Sequence, residues 1–215
     1  MKYDGLPKEM MDLPFDSRGI PIPWFVSWYN NVPDFRVVDG QRLIKSWREN
    51  LCWVCGKALF AFKAWVIGPV SAIERCSREP PAHPDCARFS LRSCPFLSRP
   101  DMARSKRAHP VSTTGGGVLI EDNSGVAAAW ITKGRSGELF NPGNGPLFQI
   151  AEARSVEWTF RGRPASRGEV QAGIVRAAEK LRNLNQENGE VALRSLEDRI
   201  SLVVKWLPAQ TDLAC

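Results

Sequence analysis

Several residue types and motifs are scarce or missing in this 215-residue chain, which narrows its possible chemistry. Only two histidines are present, and a lone loop histidine such as His109, in "KRAHPVS", is usually solvated rather than catalytic. The G-x-S-x-G, P-loop and dinucleotide-binding fingerprints are missing, and the glycine-rich "TTGGGV" at 113–118 has no P-loop lysine. We therefore expect no enzymatic activity and no small-molecule substrate.

Long apolar runs are also missing. The longest, "ALFAFKAWVIGPVSAI" at 58–73, is interrupted by Lys63 and by Gly68-Pro69, and it is too short to span a bilayer comfortably. The opening residues, "MKYDGLPKEM", contain no apolar segment of the kind found in signal peptides. We therefore expect a cytoplasmic protein with no membrane partner.

The charge of the chain is positive and unevenly distributed. The net charge is +6, with 43% hydrophobic residues, which is enough for a packed core. Within 88–107 a single acidic residue, Asp101, accompanies six basic residues, which are Arg88, Arg92, Arg99, Arg104, Lys106 and Arg107. A basic segment of this kind suits phosphate or an acidic partner, although it could also be a solvated linker. We predict that nucleic-acid contacts come from Arg99, Arg104, Lys106 and Arg107.

The chain has six cysteines, and clustered cysteines in the cytoplasm are more often metal ligands than disulfides. Cys52 and Cys55 form a C-x-x-C pair followed by Gly56, a spacing that lets both sulfurs face inward. His83 and Cys86 form an H-x-x-C pair, and residues three apart share one face of a helix. Four such ligands make a closed tetrahedral site, so we predict a structural zinc ion.

Two other interpretations of the cysteine pairs stay open. One is a redox dithiol, although no thioredoxin-like βαβ pattern surrounds it, and the other is a set of buried cysteines without metal. Cys76 and Cys94 compete for a place among the ligands. Because Cys94 lies about two helical turns beyond Cys86, and Cys76 at the end of a predicted strand, we interpret both as core thiols. Cys215 is expected to be free.

The pattern of elements predicts an α+β fold. Between the two ligand pairs, residues 58–67 and 69–75 predict a β-hairpin that turns at Gly68-Pro69, and a helix should run from Pro84 to Ser93. The order of knuckle, hairpin and helix is that of a treble-clef zinc module. Further strands are predicted near 24–28 and 34–38 and at 118–121, 126–132, 147–151 and 155–160, and a short helix at 41–50.

The C-terminal part of the sequence is helical. Ser166 and Glu169 form a capping-box pattern, and two apolar stripes at helical spacing follow on either side of Gly189. We predict a helical hairpin that turns near Gly189, with one long coiled-coil helix as the alternative. The segments are a packed proline- and aromatic-rich arm with a short helix (1–50), the zinc module (51–98), a basic and glycine-rich loop (99–117), an antiparallel β segment (118–160) and the helical hairpin (161–215).

Several motifs resemble a group of uncharacterised bacteriophage and prophage proteins. The motifs are "GIPIPWFVSW", "PDFRVVD", the C-x-x-C-G knuckle, "EPP-x-H-x-x-C", "CPFL-x-RP" and "W-x-x-x-GR-x-A", here Trp158 to Ala165. The resemblance covers most of the chain and implies a phage-related, cytoplasmic origin, with Cys52, Cys55, His83 and Cys86 at shared positions. It brings no known activity.

Three functions follow as hypotheses. The first is a phage or prophage accessory protein that has a structural zinc site and binds nucleic acid through its basic segment. The second is a non-enzymatic inhibitor that binds a host defence or regulatory complex through the tryptophan-rich arm and the helical hairpin. The third is a degenerate HNH-like nuclease, although residues 57–75 contain no histidine or asparagine for its catalysis.

Overall fold

The computed structural model describes residues 5–99, 125–134, 137–141 and 146–209, apart from the side chain of Arg36. The strands, in chain order, are β1 (Val26–Tyr29), β2 (Val32–Val38), β3 (Phe62–Ile67), β4 (Cys76–Ser77), β5 (Val126–Lys133), β6 (Leu139–Phe140), β7 (Leu147–Gln149), β8 (Ser155–Phe160) and β9 (Arg163–Pro164). The helices are α1 (Gly40–Glu49), α2 (Pro69–Glu74), α3 (Pro84–Ser93), α4 (Pro95–Ser98), α5 (Arg167–Asn185) and α6 (Gly189–Val204). The predicted strand at 118–121 lies outside the described residues, as do Arg104, Lys106, Arg107, His109 and Cys215.

A four-stranded antiparallel sheet, in the order β3-β5-β8-β9, lies at the centre of the fold. In the middle of this sheet Trp65 of β3 pairs with Trp130 of β5, which pairs in turn with Val156 of β8. The predicted strands at 126–132 and 155–160 are thus confirmed as β5 and β8. Because β3 comes from the cysteine-bearing segment, residues 51–98 and 125–160 contribute to the same sheet.

Strand β5 is buried on both of its faces. Alternate residues of a strand point to opposite sides, so its continuous apolar run fits a strand covered from above and below. Val126, Ala128 and Trp130 belong to a core shared with α2, α5 and α6, whereas Ala127, Ala129 and Ile131 belong to a second core. The second core contains α3 residues, Met10 and Leu13 of the arm and three cysteines, and it therefore holds the ligand pairs.

The predicted C-terminal helical hairpin is confirmed. Ser166 and Glu169 make both hydrogen bonds of a capping box at the start of α5, which satisfies backbone donors that have no partner within the helix. Gln186–Asn188 form a 3₁₀ turn, and Gly189 begins α6 with φ +81°. The indole N–H of Trp158 donates to the backbone carbonyl of Trp206 at 2.9 Å, which ties the end of the hairpin to β8.

The arm and a second small sheet complete the structure. Strands β1 and β2 form an antiparallel ribbon close to the predicted positions, and α1 is capped by the carboxylate of Asp39. The second sheet has the order β4-β7-β6, so β7 pairs with a strand of the cysteine-bearing segment. Within the described ranges, no helix has the length and apolar composition needed to cross a membrane.

The predicted second strand of the hairpin, 69–75, is wrong. These residues form α2, with Pro69 in its first turn and Arg75 in the left-handed conformation at its C-terminal end. A proline at this position is compatible with a helix start, and Ala72 and Ile73 become fully buried against the helical hairpin. Strand β3 pairs with β5 instead, so the hairpin that a treble clef requires is not formed between the two ligand pairs.

Candidate metal centre

Cys52 and Cys55 lie in a tight turn between α1 and β3. The ends of the turn are joined by a bridge between Leu51 and Ala58, and the N–H of Cys52 donates to the carbonyl of Lys57 at 2.7 Å. The N–H of Gly56 donates to the carbonyl of Cys52 at 2.8 Å. Such a turn directs the two sulfurs to the same side.

His83 and Cys86 lie at the start of α3, where His83 is the N-cap residue and Cys86 lies in the first turn. The chain before them is fixed to β3, because Ala64 and Ala82 exchange two backbone hydrogen bonds of 2.8 Å. It is also fixed to the turn that holds Cys52 and Cys55, because the N–H of Trp53 donates to the carbonyl of Pro81 at 3.0 Å. These contacts bring the two ligand pairs together.

The four side chains have the spacing of a tetrahedral site. All four are buried, and the three sulfurs and one ring nitrogen lie within 4.8 Å of one another. The Nδ1 of His83 is 3.4 Å from the Cys55 sulfur and 3.8 Å from the Cys86 sulfur. Bond lengths of about 2.3 Å to sulfur and 2.0–2.1 Å to nitrogen place ligands of a tetrahedral zinc about 3.6 Å apart. The donor set therefore fits a zinc ion at its centre.

The imidazole of His83 is oriented for metal binding by its second nitrogen. Its Nε2 lies 2.9 Å from the backbone carbonyl of Ala58, which can only accept a hydrogen bond. With a metal ion bound at Nδ1, Nε2 would carry the proton and donate it to this carbonyl, which fixes the orientation of the ring. The backbone N–H groups of Cys55 and His83 also donate to the Cys52 sulfur, at 3.5 and 3.3 Å.

The electrostatics of the cluster are compatible with a cation at its centre. Hydrogen bonds with Cys52 and Cys86 hold the pKa of the Cys55 thiol well below its usual range, while hydrogen bonds with Cys52 and Cys55 raise that of Cys86. Burial disfavours the charged form of His83, yet hydrogen bonds with Cys52 and Cys55 raise its pKa to about 10. Because adjacent thiolates repel one another, a metal cation among the three sulfurs would favour their ionisation.

The cluster offers four potential protein ligands, which is the number that fills the coordination of a structural zinc centre. No other group of three or more potential ligands occurs in the part of the chain that the structure describes. Cys76 in β4 and Cys94 at the end of α3 are half-buried thiols outside the cluster, as expected.

The predicted nucleic-acid contacts are only partly described. Arg99 is exposed at the end of α4, and the other three residues lie outside the described ranges. Arg88, in the same basic segment, is held by Glu157, with nitrogen–oxygen distances of 2.7 and 2.5 Å, and by Asp85. Its charge is therefore neutralised within the fold.

The hydrogen bond between His83 and the backbone carbonyl of Ala58 could not be predicted from the sequence. Every residue has a backbone carbonyl, so no residue type indicates which one accepts this bond. Sequence reasoning also missed the close approach of Gly162 to Arg92 and Ser98, since nothing in the sequence links these two segments. Comparisons with protein-family models, with curated proteins and with solved structures gave no significant match to this chain.

Proposed function

We propose that this chain is a non-enzymatic, zinc-stabilised protein that binds nucleic acid through its basic segment. Cys52, Cys55, His83 and Cys86 would hold the zinc ion, and Arg99 would begin the nucleic-acid contacts. The proposal extends to Arg104, Lys106 and Arg107, which lie outside the described residues. A cytoplasmic accessory role in a phage or prophage is the setting that the sequence resemblance suggests.

The observation that carries the zinc assignment is the closed and buried Cys₃His cluster. Thiolate and imidazole ligands in a tetrahedral arrangement are typical of zinc, whereas hard cations prefer oxygen ligands. Zinc in such a site stabilises the fold and does not activate water. Its contribution would be large, because the free energy of metal binding adds directly to the free energy of folding.

Metal content tests the zinc assignment. Wild-type protein purified without chelators should contain about one zinc per chain by elemental mass spectrometry. Cys52→Ser should lose the zinc and most of the folded structure, whereas Cys76→Ser, which changes a half-buried cysteine outside the cluster, should keep both. Wild-type protein without zinc, or Cys52→Ser with a full zinc content, would refute the assignment.

Support for nucleic-acid binding comes from two exposed arginines of the basic segment, Arg92 and Arg99. Among described residues no carboxylate lies within ion-pair distance of Arg92 or Arg99, and both are exposed. Exposed arginines at the start of a basic segment attract phosphates, and their binding releases counterions. The affinity should then fall steeply as the salt concentration rises.

Fluorescence anisotropy with labelled duplex DNA, single-stranded DNA and RNA tests the binding proposal. Arg99→Ala should weaken binding and reduce its salt dependence. The matched control is Arg194→Ala, because Arg194 is an exposed arginine in α6, outside the basic segment, and pairs with the exposed Glu190. Salt-independent or undetectable binding to all three ligands would overturn the proposal.

A second candidate function, inhibition of a host protein complex, is favoured by the exposed aromatic residues of the arm. Trp28, Tyr29 and Phe35 of the β1–β2 ribbon are 42%, 60% and 43% exposed, and large exposed aromatics are typical of protein interfaces. A pulldown from host lysate that survives nuclease treatment in wild type and is lost in Tyr29→Ala would favour this candidate. Loss of the captured protein on nuclease treatment would favour nucleic-acid binding.

A further inference from the structure

The turn that joins β8 to β9 lies against the C-terminal end of α3 and against α4. A Cβ atom on Gly162 would be only 3.1 Å from the backbone oxygen of Arg92 and 3.2 Å from the Cβ of Ser98. Gly162 also has φ +80°, which disfavours any residue with a side chain. Because Arg161 adjoins Gly162 and Arg99 adjoins Ser98, the contact brings Arg161 into the region of Arg92 and Arg99, which belong to a distant segment of the chain.

These three arginines, Arg92, Arg99 and Arg161, are all exposed. In the portion of the chain with described coordinates, none of them has a carboxylate within ion-pair distance. Their basic neighbours differ: Arg88 is bound by Glu157, and Arg163 is bound by Glu169. Within the described residues, the fold therefore neutralises Arg88 and Arg163 but not Arg92, Arg99 or Arg161.

Arg161 has a left-handed backbone conformation, which is unfavourable for an arginine residue. Its φ is +52°, a region populated mainly by glycine, asparagine and aspartate, and asparagine is the usual residue before glycine in such a tight turn. Arginine at this position therefore does not stabilise the turn. Unfavourable local choices of this kind occur where a side chain serves a function.

The guanidinium of Arg161 is also partly ordered before any ligand binds. It lies 5.2 Å from the centre of the Phe160 ring, a cation–π distance, and Arg163 lies at the same distance from this ring. A side chain held in this way loses less conformational freedom on binding than a free lysine would.

We propose that Arg161, together with Arg92 and Arg99, forms a phosphate-binding surface for the backbone of a nucleic acid, an inference that rests on the proposed function. The planar guanidinium matches two oxygens of one phosphate, and contacts of this type position a nucleic acid without reading its sequence. The surface therefore binds phosphates of any sequence, and the Arg161 turn contributes to it as directly as Arg99 does.

The test compares Arg161→Ala with Arg163→Ala, which removes an equal charge two residues away but from an arginine already bound by Glu169. Binding of labelled duplex DNA is measured by anisotropy over a series of salt concentrations. Arg161→Ala should weaken binding roughly threefold to tenfold and lower the slope of log K against log salt by about 0.9. Arg163→Ala should leave the slope unchanged.

A second variant separates binding from folding. Arg161→Asn suits the left-handed turn better than arginine does, so it should keep the thermal midpoint of wild type while losing the contact. If wild type binds and Arg99→Ala weakens it, but Arg161→Ala and Arg161→Asn bind like wild type, this inference is overturned and the proposed function stands. If wild type binds no nucleic acid, both fail.

Discussion

Substitution of Gly56 tests whether the cysteine turn depends on its contact with the arm. Gly56 has φ +73°, and a Cβ atom there would lie 2.7 Å from Cγ and 2.8 Å from Cδ1 of the Trp24 ring. These ring atoms are close to the backbone of Trp24, whose N–H is fixed to the carbonyl of Val54, so the ring cannot simply swing away. The left-handed backbone costs alanine about 1–2 kcal/mol, and overpacking adds about 1–3 kcal/mol.

Gly56→Ala should therefore lower the free energy of unfolding by about 2–5 kcal/mol, and it should weaken zinc binding because Gly56 directly follows Cys55. Gly5→Ala is the control, since Gly5 has φ +76° but no atom within 4 Å of a Cβ placed on it. It should cost at most about 1–2 kcal/mol. Urea unfolding of both variants with zinc present measures the difference, and equal destabilisation would refute the role assigned to Trp24.

Three further predictions concern the rest of the fold. Hydrogen bonds from Arg163 and from the backbone of Ser166 lower the pKa of Glu169 to about 2, so Arg163→Ala should raise it towards 4.5 in an NMR titration. The lowered pKa stabilises the folded state above pH 4.5, and this contribution is lost as the pH falls through about 2. The acid unfolding curves of wild type and Arg163→Ala should therefore differ between these two pH values. Ser166→Ala should cost about 1 kcal/mol in denaturant unfolding, because it removes the cap of α5. Trp130→Ala should cost about 3–5 kcal/mol, since Trp130 is fully buried, whereas alanine at the 42% exposed Trp28 should cost much less.

Local signals in the sequence were enough to predict the elements whose ends are fixed by covalent geometry. Helix α3 begins at Pro84, which is tolerated in the first turn, and ends before Pro95, which cannot continue it. Helix α2 was mistaken for a strand because Val70 and Ile73 are β-branched and favour strands locally. Its conformation depends on packing against α5 and α6, which are about a hundred residues away in sequence and leave no local signal.

The same distinction applies to the candidate site. Its four ligands could be predicted because they lie in two pairs with the spacing that metal binding requires, and the structure brings all four together. The strand that pairs with β3 could not be predicted, since β3 and β5 are separated by more than fifty residues of sequence. The approach of Gly162 to Arg92 was likewise invisible, because it joins the ends of separate elements.

The double burial of β5 has a consequence for how the protein can be divided. Its side chains alternate between the core that contains three of the cysteines and the core beneath the helical hairpin. Neither core is therefore complete without β5. A fragment spanning 51–98 would carry all four ligands but would leave β3 without its neighbouring strand. The segment that carries the cysteine cluster is therefore not expected to fold when it is separated from β5, and unfolding of either core should destabilise the other through this strand.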